Sequence, residues 1–224
     1  MENVLVSVGS GNRWGDVHHF PEPQGLKTAG GRENTVGVSG LLLGGGSSLF
    51  SGEVGSAADN VAEYEVVLAS GNVVKAIQDE NFDLFKALKG GAYNFGLVSR
   101  CLLKTLPSRN FYGEVMVSPW TQKNAIVQNF VEMIEGNTNG HPEDTGFAAA
   151  AWSPGGGKKI FRGTRNFVSC GRLAGKPPST LTGIAAQIAS TSGEYQVSNT
   201  LTFHNALDMG RKVLASFDTV IEEI

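Results

Sequence analysis

The sequence predicts an α+β protein of two domains, divided near Pro107. Strand and helix patterns are mixed along the chain, and pairs of strands joined by tight turns occur on both sides of Pro107. This mixture fits two α+β domains better than one doubly wound sheet. Glycines also punctuate short apolar runs before Pro107, whereas longer strands and helices alternate after it. We therefore expect one domain over residues 1–107 and another over residues 111–224, each with its own core.

In the first half, apolar periodicity and turn residues define the elements in order. Apolar residues that alternate along the chain predict strands, and apolar residues at three-residue steps, such as Phe82, Phe85 and Leu88, predict a helix. Ser70-Gly71-Asn72 separates two apolar runs and predicts a hairpin. The expected elements are a strand at residues 4–8, a helix at 14–20, a glycine-dense loop at 30–46, a hairpin at 64–68 and 73–77, a helix at 82–88 and a strand at 97–106.

In the second half, the periods are longer. A helix that Thr121 caps carries Val127 and Val131 on one apolar face, and the last segment of the chain is amphipathic around Leu214 and Phe217. The expected elements are the helix after 121, strands at 146–152 and 160–168, a short helix from 177 to 190, a strand at 195–203 and a C-terminal helix.

Composition excludes several classes of protein. A net charge of −3 and a pI near 5.8 give no basic surface for nucleic acid. No apolar run reaches the length of a membrane span. The two cysteines form neither a disulfide framework nor a metal set, so no metal site is expected. The first residues carry Glu2 and no basic region, so they are not expected to be a signal peptide, and an intracellular location is the default expectation.

Glycine is unusually frequent, with 30 residues in clusters. Clustered glycines let a backbone approach a ligand closely, although any one pair is more often simply a turn. Neither familiar phosphate loop is present. Gly9-Ser10-Gly11 has Trp14 where a dinucleotide fingerprint needs its third glycine. Gly157-Lys158-Lys159 lacks the hydroxyl residue of a Walker loop.

The order and spacing of six segments in the first half resemble a known family. The segments are VGSGNRWGDV at residues 8–17, GGR at 30–32 followed by TVGVSG at 35–40, LLGGG at 42–46, ADNV at 58–61, EVVLASG at 65–71 and ALKGGAYNFGLV at 87–98. Over about a hundred residues this series resembles the later part of the FAD-binding domain of p-cresol-methylhydroxylase-type (PCMH-type) flavoproteins, in particular their fungal berberine-bridge-enzyme-like branch. Residues 111–224 resemble the family's substrate domain more loosely.

The resemblance implies an FAD cofactor and a partial FAD-binding domain followed by a partial substrate domain of antiparallel sheet and helices. Residues 35–37 and 40–45 would run along the flavin and its pyrophosphate, and residues 60–61 and 96–98 would lie near the ribose and adenine. The residues implied to bind the cofactor are Gly31, Thr35, Val36, Gly37, Gly40, Gly44, Gly45, Asn60, Val61, Gly96 and Val98. The cofactor would supply the redox chemistry, with a small-molecule substrate and dioxygen or another electron acceptor as partners.

Three departures from the family pattern shape the remaining expectations. No histidine of the chain lies in the motif that attaches flavin covalently, and Glu33 stands where some members have an anchoring cysteine, so any FAD bound here is expected to be non-covalent. The family's first flavin subdomain would precede residue 1, and a returning C-terminal segment would follow residue 224. The chain is therefore expected to be truncated at both ends, and no catalytic base is assigned.

Several other polar residues have simple structural interpretations. His18 and His19 are neighbours that point in different directions, which favours a surface pair over a metal site. Asp59 is predicted to shape the turn before Val61, and Arg32 to be a solvated loop residue. Cys101 is predicted to be buried in its strand.

Two functions remain open at the level of sequence. The first is an FAD-dependent oxidoreductase that oxidises a small organic molecule by hydride transfer to flavin, in a setting such as secondary metabolism. The second is a truncated, non-catalytic remnant of such an enzyme that binds FAD weakly or not at all. The retained glycine motifs favour the first, and the missing family segments favour the second.

Overall fold

The computed structural model describes residues 4–138, 145–153, 158–168 and 207–222. Described residues up to Tyr112 fall in one compact unit. Those from Gly113 to Phe167, together with the C-terminal helix, fall in a second unit. The division into domains at residues 107 and 111 stays a prediction.

The first unit is built on a five-stranded antiparallel sheet. Its strands are β1 (Leu5–Gly9), β2 (Leu26–Thr28), β3 (Val61–Val67), β4 (Val73–Ala76) and β5 (Leu97–Pro107). They lie in the order β1-β5-β3-β4, and β2 pairs with the far end of β5. β5 is the longest of the five strands and pairs with three others, which places it at the centre of the sheet. Cys101 of β5 is buried, as predicted.

Four short helices accompany this sheet. They are α1 (Trp14–His19), α2 (Val38–Leu43), α3 (Ser51–Val54) and α4 (Phe82–Leu88). α1, α2 and α4 share one hydrophobic cluster with the strands. Its fully buried large side chains are Trp14, Val38, Leu42, Val61, Tyr64, Val66, Leu88 and Leu103. Burial of this apolar area, at about 25 cal/mol per Å², is the main term that stabilises the unit.

Charged residues line the sheet on the side away from this cluster. Glu65 is in register with both Lys75 and Arg100, so the three side chains share one face. The Arg100 guanidinium lies 2.9 Å from the Glu65 carboxylate and 3.6 Å from that of Glu63. A smaller cluster consists of Ala29, Leu49 and Phe50, and the Lys27 Nζ of β2 lies 3.6 Å from the centre of the Phe50 ring.

The second unit contains a three-stranded sheet and two long helices. Its elements are β6 (Phe111–Pro119), α5 (Lys123–Thr138), β7 (Thr145–Ser153), β8 (Lys158–Val168) and α6 (Leu207–Glu222). The strand order is β6-β8-β7, with β7 and β8 forming an antiparallel hairpin. Val127 of α5 and Leu214 of α6 are buried together. An added Cβ at Gly210 would lie 2.6 Å from the Val127 Cγ1, so the two helices approach closely at this glycine.

The α+β fold class predicted from the sequence is confirmed, as are the opening strand, the 64–77 hairpin, the 82–88 helix and the strand that follows it. The glycine-dense loop expected at 30–46, interrupted by the run Leu41-Leu42-Leu43, contains the helix α2 at that run. The strands β2 and β6 and the helix α3 were not predicted. The helix expected at 177–190 and the strand expected at 195–203 lie outside the described residues.

The hydroxyl of Tyr64 offers a test of this core. Tyr64 is fully buried beside Phe85, and its hydroxyl has no hydrogen-bond partner within the described part of the chain. Burial raises the pKa of this phenol. Because a buried hydroxyl without a partner opposes folding, we expect Tyr64→Phe to raise the free energy of unfolding by about 1 kcal/mol. Urea denaturation measures this change.

Tyr93→Phe is the matched control, since Tyr93 is 81% exposed. It should leave the urea midpoint unchanged. A loss of stability in Tyr64→Phe would contradict the prediction and would show that the buried hydroxyl has a bonding partner, such as a water molecule.

Candidate functional site

The loop at residues 31–37 is fastened along its length to α1 and the residues before it. The N–H of Trp14 donates to the Val36 carbonyl at 3.1 Å, and the N–H of Gly15 donates to the Asn34 carbonyl at 3.0 Å. At the end of the loop, the N–H of Val38 donates to the Asn12 carbonyl at 3.1 Å. The first two bonds satisfy carbonyls of the loop, and the three together fix its path.

Thr35 and Gly37 lie on the exposed side of this loop. The Glu33 carboxylate accepts hydrogen bonds from the Thr35 N–H at 2.9 Å and from the Thr35 hydroxyl at 2.8 Å. The Arg13 guanidinium donates to the Thr35 carbonyl. The side chain of Val36, by contrast, turns inward and packs against the core cluster. Glu33 thus holds the turn in which the resemblance places an anchoring cysteine in other family members.

Four of the predicted glycines lie on an open surface just before, along and after α2. An added Cβ at Gly37, Gly40 or Gly45 would meet nothing within 4 Å, and one at Gly44 would meet only carbonyl oxygens of the preceding turn. The N–H groups of Gly44 and Gly45 are already bonded, to the Gly40 and Leu42 carbonyls respectively. What these two glycines offer a ligand is close approach of the backbone rather than free donors.

Gly31 has a different reason to be glycine. An added Cβ there would lie 2.6 Å from the Trp14 Cδ1 and 2.9 Å from the Leu41 Cδ1. At Gly30 the same atom would lie 1.9 Å from the Trp14 Cζ3. Gly46 is also tight, with Leu41 Cδ2 at 2.3 Å. These glycines are required by packing within the chain.

The residues predicted to lie near the ribose and adenine are largely engaged by the fold. The Asn60 amide donates to the carbonyls of Val54 and Ser56 at 3.0 and 2.9 Å. Val61 and Val98 are core residues. Gly96 has φ of +148°, and an added Cβ there would lie 2.7 Å from the Val66 Cγ1. Their backbones, rather than their side chains, remain to face a ligand.

Backbone hydrogen bonds join these separate segments into one connected surface. Ala57 and Ala58 donate to the carbonyls of Gly46 and Gly45, each at 2.9 Å. Ala92 donates to the Leu43 carbonyl at 3.0 Å. The structure therefore brings the 31–45 loops, the turn at 57–60 and the loop at 90–96 together, as the sequence motifs imply. That these residues bind the cofactor stays a prediction.

Three charged residues near this surface have pKa values lowered by hydrogen bonds or by burial. Asp59 shapes its turn as predicted, because its carboxylate accepts bonds from the Ser56 N–H and hydroxyl, which lower its pKa. Arg32 is half-buried rather than solvated, and burial lowers its pKa. The Lys89 ammonium lies 3.4 Å from the Val61 carbonyl and over the Phe85 ring, and burial lowers its pKa.

The prediction of a surface histidine pair is wrong for His18. His18 is 2% exposed, and its Nε2 lies 2.9 Å from the Gly31 carbonyl oxygen, whereas the side chain of His19 is 67% exposed. The reason is helical geometry. Position 18 is four residues after Trp14, so both side chains lie on the buried face of α1. This i, i+4 spacing was the signal in the sequence that identifies His18. In the described residues, no cluster of acidic, histidine and cysteine side chains could hold a metal ion.

Comparison with known proteins agrees with the geometry. Residues 1–76 match the model of a family described as the FAD binding domain. The chain is 44% identical over 131 residues to an FAD-dependent monooxygenase of Arthrobotrys oligospora, covering 58% of this chain and 25% of that protein. It is 43% identical over 154 residues to the FAD-dependent monooxygenase tpcD of Cochliobolus heterostrophus, covering 68% of this chain and 30% of that protein. The chain thus spans at most a third of the length of these relatives.

Solved structures show the same fold. A VAO-type flavoprotein of Myceliophthora thermophila, MtVAO615, superposes with a TM-score of 0.65 at 22% identity, covering 77% of this chain and 33% of that one. Berberine bridge enzyme superposes with a TM-score of 0.61 at 21% identity, covering 75% and 33%.

The fold is that of a PCMH-type flavoprotein, with part of an FAD-binding domain followed by an antiparallel sheet with helices. Within that class, the resemblance to the fungal berberine-bridge-enzyme-like branch is confirmed, and FAD is the cofactor of its FAD-binding domain. In the part of the chain that the structure describes, no helix is both long and apolar enough to cross a membrane.

The contrast between packed and open glycines gives a second test. Gly30→Ala forces its new methyl group into the Trp14 ring, and we expect it to lower the free energy of unfolding by about 1–3 kcal/mol. Gly40→Ala, within α2 and facing open space, should leave that free energy unchanged or raise it by up to about 1 kcal/mol. Thermal and urea denaturation of the two variants measure the difference. Equal stability of the two would contradict this division of the glycines.

Proposed function

We propose that this chain forms the FAD-binding part of an oxidoreductase that oxidises a small organic molecule by hydride transfer to flavin, in a setting such as secondary metabolism. The observation that carries the proposal is the match of residues 1–76 to the FAD binding domain, in a chain whose fold is that of flavoproteins. The FAD-dependent monooxygenases similar to this chain support an oxidation that has dioxygen as a partner.

The residues present fit the cofactor. Gly37, Gly40 and Gly45 leave open space where any other residue would place a Cβ. Within the described residues, two polar atoms near these glycines are buried without a hydrogen-bond partner: the side-chain oxygen of Asn34 in the 31–37 loop and the hydroxyl of Ser39 in α2. A loop with an approachable backbone and unused polar atoms suits a ligand that carries a pyrophosphate and many hydroxyl groups.

We assign the holding residues by segment. Thr35, Val36 and Gly37, with the glycines at 40, 44 and 45, would lie along the flavin and its pyrophosphate. Asn60, Val61, Gly96 and Val98 would lie near the ribose and adenine through their backbone groups. When bound, FAD supplies the redox chemistry, accepting hydride from the substrate before an external acceptor reoxidises it. The chain's own contribution is to bind and orient the cofactor.

The competing function is a scaffold that binds FAD weakly or not at all. The two functions differ in the visible absorption spectrum of the purified chain, recorded with and without added FAD. A bound flavin gives a spectrum that survives gel filtration, whereas a scaffold without FAD remains colourless after the column. The colourless result would refute the proposed function for this chain.

Gly40 provides the mutational test of the site. Gly40→Ala places a methyl group on the open face of α2, and we expect it to weaken FAD binding by about tenfold, or 1.4 kcal/mol. The reason is that the methyl group keeps the ligand from approaching the backbone. Quenching of flavin fluorescence during a titration gives the dissociation constant.

Gly11→Ala is the matched control for this measurement. Gly11 is exposed, and an added Cβ there also meets nothing within 4 Å, but it lies outside the assigned residues. Its dissociation constant should equal that of the unmodified chain. If Gly40→Ala also bound FAD with unchanged affinity, the assignment of the α2 glycines to the cofactor would be wrong.

A further expectation concerns attachment. Because Glu33 stands in the position of the anchoring cysteine, flavin bound to this chain should be non-covalent. Acid precipitation of the holoprotein should therefore release all of the yellow colour into the supernatant. Colour that stays with the denatured polypeptide through a filter would contradict this expectation.

A further inference from the structure

His18 joins the buried face of α1 to the loop at residues 31–37. Its imidazole is 2% exposed, and its ring centre lies 5.6 Å from that of Trp14. The Nε2 is 2.9 Å from the Gly31 carbonyl oxygen. The side chain is thus in direct contact with the first residue of the loop that the proposed function assigns to the cofactor.

The surroundings of the ring define its protonation state. A carbonyl oxygen only accepts, so Nε2 carries the hydrogen and donates it. Nδ1 is buried and has no hydrogen-bond partner in the described part of the chain, so it is the unprotonated nitrogen. Burial lowers the pKa of His18, and the neighbouring His19 adds to this, while the Gly31 hydrogen bond and the Glu22 carboxylate oppose it.

Gly31 is closely packed in the core. A Cβ added to Gly31 would lie 2.6 Å from the Trp14 Cδ1 and 2.9 Å from the Leu41 Cδ1. The loop that follows is bonded through Asn34 and Val36 to the backbone of α1. The contact between α1 and the loop is therefore held at Gly31 by His18, and at Asn34 and Val36 by backbone hydrogen bonds.

We propose that His18 is a positioning residue that holds the 31–37 loop against α1 only while its imidazole is neutral. The positioning itself follows from the contacts above. Its consequence for FAD, that acid loosens the loop and weakens cofactor binding, rests on the proposed function.

The direction of the pH effect follows from the buried Nδ1. Protonation would place a charge on a buried nitrogen that has no acceptor among the described residues, which the folded state disfavours. The unfolded chain takes up this proton near the ordinary pKa of 6.5, whereas the folded pKa lies lower. The contact is therefore fully stabilising above about pH 6.5, and it weakens as the pH falls from there towards the folded pKa.

Amide hydrogen exchange of the full 224-residue chain tests the positioning role without any cofactor. The reporting amides are those of Trp14 and Gly15, which donate from α1 to the loop, and of Val38, which donates from the end of the loop to the Asn12 carbonyl before α1. The amides of β5 serve as an internal reference. His18→Leu removes the donor and should raise exchange of the three amides by about tenfold relative to β5. His18→Gln keeps a donor of similar reach and should restore most of the protection.

The pH profile separates positioning from simple packing. In the unmodified chain, exchange at the three amides, corrected for its intrinsic pH dependence, should rise relative to β5 as the pH falls below about 6.5. This rise should be absent in His18→Gln. It should persist in His19→Gln, the matched control, because the side chain of His19 is exposed and has the weakest of the four influences on the pKa of His18.

Each outcome decides the proposal. Protection of the three amides that is unchanged in His18→Leu, or an acid response that disappears in His19→Gln but not in His18→Gln, would overturn it. If His18→Leu does not fold, the pH profiles of the two glutamine variants give the answer. An FAD titration of the same proteins is scored separately. If the unmodified chain fails to bind FAD, the proposed function is refuted while the positioning result stands.

Discussion

The packing of one indole ring against two glycines is the constraint on which the first unit depends. Trp14 is fully buried, and its ring occupies the space that a Cβ at Gly30 or Gly31 would need. Through this contact, the chain after β2 packs against α1. Backbone hydrogen bonds then join residues 12–15 to residues 34–38. α2 begins where these bonds end. The contact of Trp14 with Gly30 and Gly31 in the core thus sets the position of the candidate site, which begins a few residues later in the chain.

Glycine serves two opposite purposes within twenty residues of this chain. At Gly30, Gly31 and Gly46 the missing side chain makes room for Trp14 and Leu41, and at Gly37 and Gly40 it leaves open surface. The two kinds of position alternate along the sequence, so composition alone does not separate them. Only the close neighbours of each Cα distinguish a glycine that packs from one that exposes backbone.

The elements that the sequence predicts are those with a clear period and turn signal. The 64–77 hairpin is predicted because period-two alternation and a Ser-Gly-Asn turn give the same answer at every position. The sequence does not predict α2 as a helix, because its run of three leucines lies among glycines, which have low helix propensity. β2 has three residues, too few for a period, and is defined by its pairing with β5. The loop around Glu33, by contrast, was located in the sequence by the order of the family's motifs, which does not depend on periodicity. In the structure, Glu33 accepts hydrogen bonds from Thr35 within this loop.

The candidate surface is held in place by hydrogen bonds within the chain. The amides of Gly44 and Gly45 are bonded within the chain, and the side chain of Asn60 is bonded to Val54 and Ser56. A ligand at this surface would therefore meet a backbone whose conformation is already fixed by the core. Ordering one backbone residue costs about 1–2 kcal/mol, and a surface that is ordered before binding avoids this cost for each residue in contact. The glycines that give the ligand access would otherwise be the residues with the most conformational freedom to lose. The internal hydrogen bonds thus have two effects: they occupy backbone and side-chain donors, and they order the backbone before a ligand binds. Binding here would depend on the shape of the backbone more than on individual side chains.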